Sequence, residues 1–194
     1  MTTATMRDQP VPGINWNGLW LVALAAAVMT SAIVSRNVWY INFVHVAAGL
    51  MWTGIDLFMG FVIGPIMRSL PPDARKAMTL RLMPRMLFLM PTLSIVTTTA
   101  GWFLAVELGY IDPANPAAWS WWIIAALAIV TVLTIQGLGI LLPTNIRVYL
   151  EIRSADPDMA KVGRLMRRYI VTVASQGLMQ IAIIVVMTKL RIGT

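Results

Sequence analysis

Residues 39–75 read WYINFVHVAAGLMWTGIDLFMGFVIGPIMRSLPPDAR, and this stretch decides the fold. From Trp39 to Met67 it is almost wholly apolar, and it then turns abruptly into Arg68, Pro71, Pro72, Asp73 and Arg75. A helix rises about 1.5 Å per residue, so about 20 apolar residues cross the hydrocarbon core of a bilayer. The run is longer than that, and a helix of this length tilts or continues beyond the core. Within it lie two ionisable residues, His45 and Asp56.

Outward from this stretch the same criterion finds further spans at about 19–34, 86–106, 119–142 and 169–188. The expected fold is an all-α polytopic membrane protein. It has a polar segment at 1–18 and one transmembrane domain at 19–190 with five helices. Composition agrees: 58% of residues are hydrophobic and 12% are charged, against about 25% charged in soluble domains. Tryptophan and tyrosine sit near the span ends (Trp16, Trp20, Trp39, Tyr40, Trp102, Tyr110, Trp119, Trp121, Trp122, Tyr169), where amphipathic rings meet the headgroups. The opening residues, with Arg7, Asp8 and two prolines, do not have the pattern of a cleaved signal peptide.

The loops orient the chain. Arg68, Arg75, Lys76, Arg81 and Arg85 lie between the second and third spans. Arg147, Arg153, Lys161, Arg164, Arg167 and Arg168 lie between the fourth and fifth. Residues 107–118 contain no lysine or arginine. The positive-inside rule puts both basic loops and the N-terminus in the cytoplasm of a cell-membrane protein, with the C-terminus outside. Lys189 and Arg191 run against the rule but are outnumbered. The net charge of +7 is thereby read as topology, and nucleic acid is not an expected partner.

The two basic loops resemble each other. Pro65, Arg68, Asp73 and the Arg81-Leu82-Met83-Pro84-Arg85 run match Pro143, Arg147, Asp156-Pro157 and the Arg164-Leu165-Met166-Arg167-Arg168 run. Each loop joins an inward helix to an outward one. The expected core is therefore four helices made of two parallel hairpin repeats, with the first span added in front.

There is no cysteine and one histidine, which excludes disulfides, thiolate chemistry and a histidine-rich zinc site. At 100° per residue His45, Gly49, Trp52, Asp56 and Met59 form one stripe. An ionisable group in hydrocarbon costs at least about 2.5 kcal/mol, so the stripe should face the bundle interior. His45 and Asp56 are separated by roughly 16 Å along the axis. They either touch two ends of one large ligand or belong to different sites. His45 is a candidate ligand-binding or metal-binding residue, or else a neutral interhelical hydrogen bonder. Asp56 is either part of that site or a partner for Arg68 or Arg147. Thr97, Thr98, Thr99, Gln136, Gln176 and Gln180 are further polar groups in the spans. They suit interhelical hydrogen bonds or a quinone or porphyrin headgroup. The 14 methionines are dispersed and read mostly as packing. Pro91 should kink the third span.

His45, Trp52 and Gly54, followed by Gly64-Pro65 and Arg68, resemble the first core helix of the CopD-like membrane superfamily. That superfamily includes the copper-resistance D membrane domain, small uncharacterised membrane proteins and the HemJ-type protoporphyrinogen oxidases. Residues 64–75 and 81–101 look most like the uncharacterised members. The resemblance spans about 39–106. It implies haem b as cofactor, with His45 as the candidate axial ligand, or copper as an alternative; the helical stripe then makes Gly49, Trp52 and Asp56 the candidate binding residues beside it. The HemJ pattern has a second histidine after its Pro-Arg that this chain lacks, so a bis-histidine haem within one chain is excluded. Five-coordinate haem, His-Met ligation or a haem bridging two chains are left. The expected function is a haem-binding or redox-associated membrane subunit. The reading from a different class is a non-catalytic scaffold subunit. Expected partners are the lipid bilayer and other membrane subunits or further copies of the chain.

Overall fold

The computed structural model describes Trp16, residues 18–154 and residues 156–192. The expected polar segment at 1–18 lies outside these apart from Trp16 and Gly18. The fold is all-α. Five helices are long and apolar enough to cross a membrane: α1 (Gly18–Ser35), α2 (Val38–Ser69), α3 (Pro72–Glu107), α4 (Trp121–Ile152) and α5 (Met159–Ile192).

Helices α3 and α5 begin well ahead of the apolar spans. Hydropathy marks where the hydrocarbon begins, whereas propensity and capping mark where the helix begins. The added turns are rich in Arg, Lys, Ala, Met and Leu, all good helix formers. Pro72 opens α3 in the first turn, where a missing N–H costs nothing. Asp158 caps α5, accepting from the Lys161 backbone N–H at 2.9 Å. That bond holds the exposed Asp158 carboxyl below the usual carboxylate range. Asn37 caps α2 through the Tyr40 N–H at 3.1 Å. Ser120 caps α4, so that helix begins at Trp121 and not at Trp119.

Both helices running toward the basic loops widen at the same place. In α2 a π-helical segment, Phe58–Ile63, precedes Pro65. In α4 Gly137–Leu141 precedes Pro143. Gly64 N–H bonds Met59 O, and Leu142 N–H bonds Gly137 O, each five residues back. Proline has no N–H, and its ring clashes with the carbonyl four residues earlier. An i→i+5 turn absorbs that clash without breaking the helix. The matched π turns are a structural counterpart of the loop resemblance between the two hairpins, α2–α3 and α4–α5.

Two apolar clusters fill the bundle. Met67, Met83, Val148, Ile152, Met166 and Val173 pack toward the basic end. Ile41, Ala48, Trp52, Val96, Ala100 and Leu133 pack toward the other end. The basic loops are tied down locally. Arg75 donates to the carbonyls of Arg68 and Leu70 at 3.1 and 3.0 Å, satisfying the end of α2. Lys161 pairs with Glu151 across the α4–α5 loop. Helix α1 has only Ala32 buried. It is apolar all round and packs along α3 and α2, as a helix solvated by lipid would.

Candidate functional site: a polar centre in the bundle

The stripe expected on α2 does face the interior, but it does not line one pocket. His45 and Gly49 meet α3. The His45 ring is half-buried, and its Nδ1 lies 2.8 Å from the Thr97 carbonyl oxygen. A carbonyl accepts, so Nδ1 carries the proton and donates. The ring reaches that carbonyl by crossing Gly101, one turn further along α3. A Cβ at Gly101 would stand 2.7 Å from His45 Cε1 and 2.8 Å from Nδ1. Gly101 is thus the seat of the imidazole. The glycine after the threonine run was visible in the sequence, but its link to His45 was not. Gly49 offers no open face for a macrocycle, because its missing Cβ faces the Thr97 methyl at 3.3 Å.

Trp52 and Asp56 turn to the centre. Trp52 is 5% exposed and Asp56 1%. Asp56 Oδ2 accepts from Gln180 Nε2 of α5 at 3.0 Å. Trp52, one turn away on α2, adds a second polar contact to the carboxyl. The expected partners Arg68 and Arg147 are not there; among the described residues no lysine or arginine forms an ion pair with Asp56. The π turn and Pro65 lie between Asp56 and Arg68 along α2, and the helix carries Arg68 to its end.

The glutamines form the rest of the centre. Gln176 donates through Nε2 to the Leu133 carbonyl of α4 at 2.8 Å, and Gln136 reaches Ser175 Oγ at 3.5 Å. As their spacing on α5 predicts, Gln176 and Gln180 share a face, and both are fully buried. Several oxygens here have no hydrogen-bond partner among the described residues: Asp56 Oδ1, Gln180 Oε1, Gln136 Oε1 and Asn145 Oδ1; Thr97 Oγ1, beside Gly49, has none either. Buried polar atoms are rarely left unpaired.

Beside this centre lies a crevice of about 40 Å³, with Trp52, Met90, Pro91, Ser94, Asn145, Tyr169 and Gln176 in its wall. It holds a few waters at most. Helix α3 packs on α4 mainly through Leu142–Ile152, and the crevice occupies the gap next to that contact. Among the described residues no three His, Asp or Glu side chains gather as a metal ion would require. Comparison of the chain with protein-family models, with curated proteins and with solved structures found no match.

Proposed function

We propose that this protein is a redox-associated membrane subunit that takes haem b at His45. The observation that supports the reading is the state of the imidazole. With Nδ1–H committed to the Thr97 carbonyl, Nε2 carries the free lone pair, the arrangement that a metal-bound histidine uses to fix its tautomer and orientation. The motif resemblance at His45, Trp52, Gly54 and Gly64-Pro65 points the same way. The fit is at the axial ligand and not at an enclosing pocket. The central crevice of about 40 Å³ is far below the range of about 300–1,000 Å³ for ligand pockets. The group would lie outside that crevice, and a second copy or another subunit would complete its cover. Haem bound there would supply a one-electron iron centre. A copper site has only the histidine and scattered thioethers to offer.

An absorption spectrum tests this. Protein extracted in mild detergent should show a Soret band, and His45→Ala should lose it while eluting at the same volume on size exclusion. A folded wild type with no Soret band, isolated under conditions that retain haem in other membrane proteins, sinks the haem reading. The bundle would then act as a scaffold that meets its partners through apolar faces.

The reading places the protein in the cell membrane with the basic end cytoplasmic, on the distribution of Lys and Arg. The chain has no cysteine, so single cysteines report cleanly. Cysteines replacing Arg75 and Lys161 should resist an impermeant external thiol reagent in intact cells, and one replacing Asn115 should react. External labelling at the first two positions would reverse the topology.

A further inference from the structure

The polar centre lies about 16 Å from His45 along α2, and the haem reading makes no use of it. Asp56 is 1% exposed, and its Oδ1 has no partner. Gln180 is 2% exposed, and its Oε1 has none either. A permanently ionised carboxylate inside a membrane calls for a guanidinium or ammonium beside it. This chain brings a carboxamide instead, though basic residues are plentiful at one end of the same helices.

The choice of partner has a chemical consequence. A cation can serve a carboxylate but has nothing to offer a carboxylic acid. An amide both donates and accepts. Its N–H serves the ionised form, as at the 3.0 Å contact. Turned over, its carbonyl oxygen accepts from the O–H of the acid. The two ends of the amide are assigned from the hydrogen-bond network, and both settings occupy the same volume. Gln180 can therefore satisfy Asp56 in either protonation state.

The surroundings supply an approach. The crevice beside the centre has room for water, and Ser94, Asn145, Tyr169 and Gln176 bring polar atoms to its wall. Asn145 is 3% exposed with Oδ1 unpartnered, and a water bonded to it would relieve that atom. One wall residue, Trp52, adjoins the carboxyl, and another, Gln176, sits one turn along α5 from Gln180. From α5, the titratable group in the crevice wall is Tyr169. Among the described residues α3 and α4 bring it no titratable side chain, only Ser94 and Asn145 at the crevice wall.

We propose that Asp56, held by Gln180, is a proton-binding site inside the membrane, loaded and emptied through water in the adjoining crevice. The step is acid–base only. A hydronium in the crevice gives its proton to a carboxylate oxygen of Asp56, leaving water and a neutral carboxylic acid, and release reverses it.

Infrared difference spectroscopy of the full chain in lipid nanodiscs, between acid and alkaline pH, tests the site. Wild type should show a protonated-carboxyl C=O band that appears as pH falls and shifts in heavy water. Asp56→Asn should remove that band. Gln180→Leu, which leaves the carboxyl in place, should shift the frequency of that band, because the acid loses the amide that its O–H donates to; an unshifted band would overturn the part given to Gln180. No such band in folded wild type at any pH would make Asp56 a structural group locked in one state and overturn the proposal. The other Asp and Glu residues of the chain also protonate in acid, so the site is the component that Asp56→Asn removes, and identical difference spectra for the two proteins would overturn the proposal too. A band lost in Asp56→Asn but insensitive to heavy water would overturn the crevice as the approach. None of these outcomes depends on haem.

Discussion

Replacing Gly60 with leucine is expected to prevent the bundle from assembling. Gly60 and Gly64 lie one turn apart on α2, where α5 crosses closest. A Cβ at Gly60 would stand 2.8 Å from Ala174 Cα and 2.9 Å from its Cβ. One at Gly64 would be 2.7 Å from Ile170 Cγ2, and from the other helix one at Gly177 would be 2.8 Å from Leu57 Cδ2. Small residues of this kind let membrane helices touch backbone to backbone, where lipid supplies no hydrophobic drive for association. Overpacking costs about 1–3 kcal/mol when side chains can adjust. At Gly60 the obstacle is backbone, so the cost should reach the top of that range or pass it. Relief would push α5 away and draw Gln180 off Asp56. Gly54 lies on the same helix with nothing within 4 Å of its would-be Cβ, so Gly54→Leu is the control. Yield and monodispersity in detergent after graded heating should collapse for Gly60→Leu and hold for Gly54→Leu. Equal behaviour of the two would mean that α2 and α5 do not meet at Gly60.

The second large effect belongs to Asp56. Asp56→Leu leaves Gln180 Nε2 buried with no acceptor, a penalty of about 1–3 kcal/mol. Asp56→Asn keeps an acceptor oxygen at nearly the same place and should lose less. The double variant Asp56→Leu, Gln180→Leu should recover much of what the single leucine loses, since it removes both polar partners together. Thermal midpoints in a fixed detergent would order the four proteins. Asp56→Leu as stable as wild type would show that the Gln180 contact contributes nothing, and a double variant worse than the single would point to another acceptor for Gln180.

The spans, the inward face of α2 and the burial of Gln176 and Gln180 were legible in the sequence. Each depends on a local comparison between side chain and solvent. Apolar runs of sufficient length must enter lipid, and a carboxyl or carboxamide within them must turn away from it. Pro65 and Pro143 were legible as matched positions in the two hairpins, but the π turns ahead of them were not. The partners were not. A stripe read at 100° per residue says which side of α2 faces inward, but not which helix waits there or at what height. Asp56 was expected beside Arg68 or Arg147 and is held by Gln180, 124 residues away. His45, Gly49, Trp52 and Asp56 were read as one stripe, with His45 and Asp56 either at two ends of one ligand or in different sites; the first two meet α3, Trp52 lines the central crevice and Asp56 meets α5. The division arises because α2 crosses α3 near His45 and α5 near Gly60, so one continuous face meets two neighbours in turn. Where two helices cross, and which side chains then fall within 3 Å, depends on how the small residues Gly60, Gly64, Ala174 and Gly177 let the backbones close, and that is a property of the packed pair rather than of either helix alone.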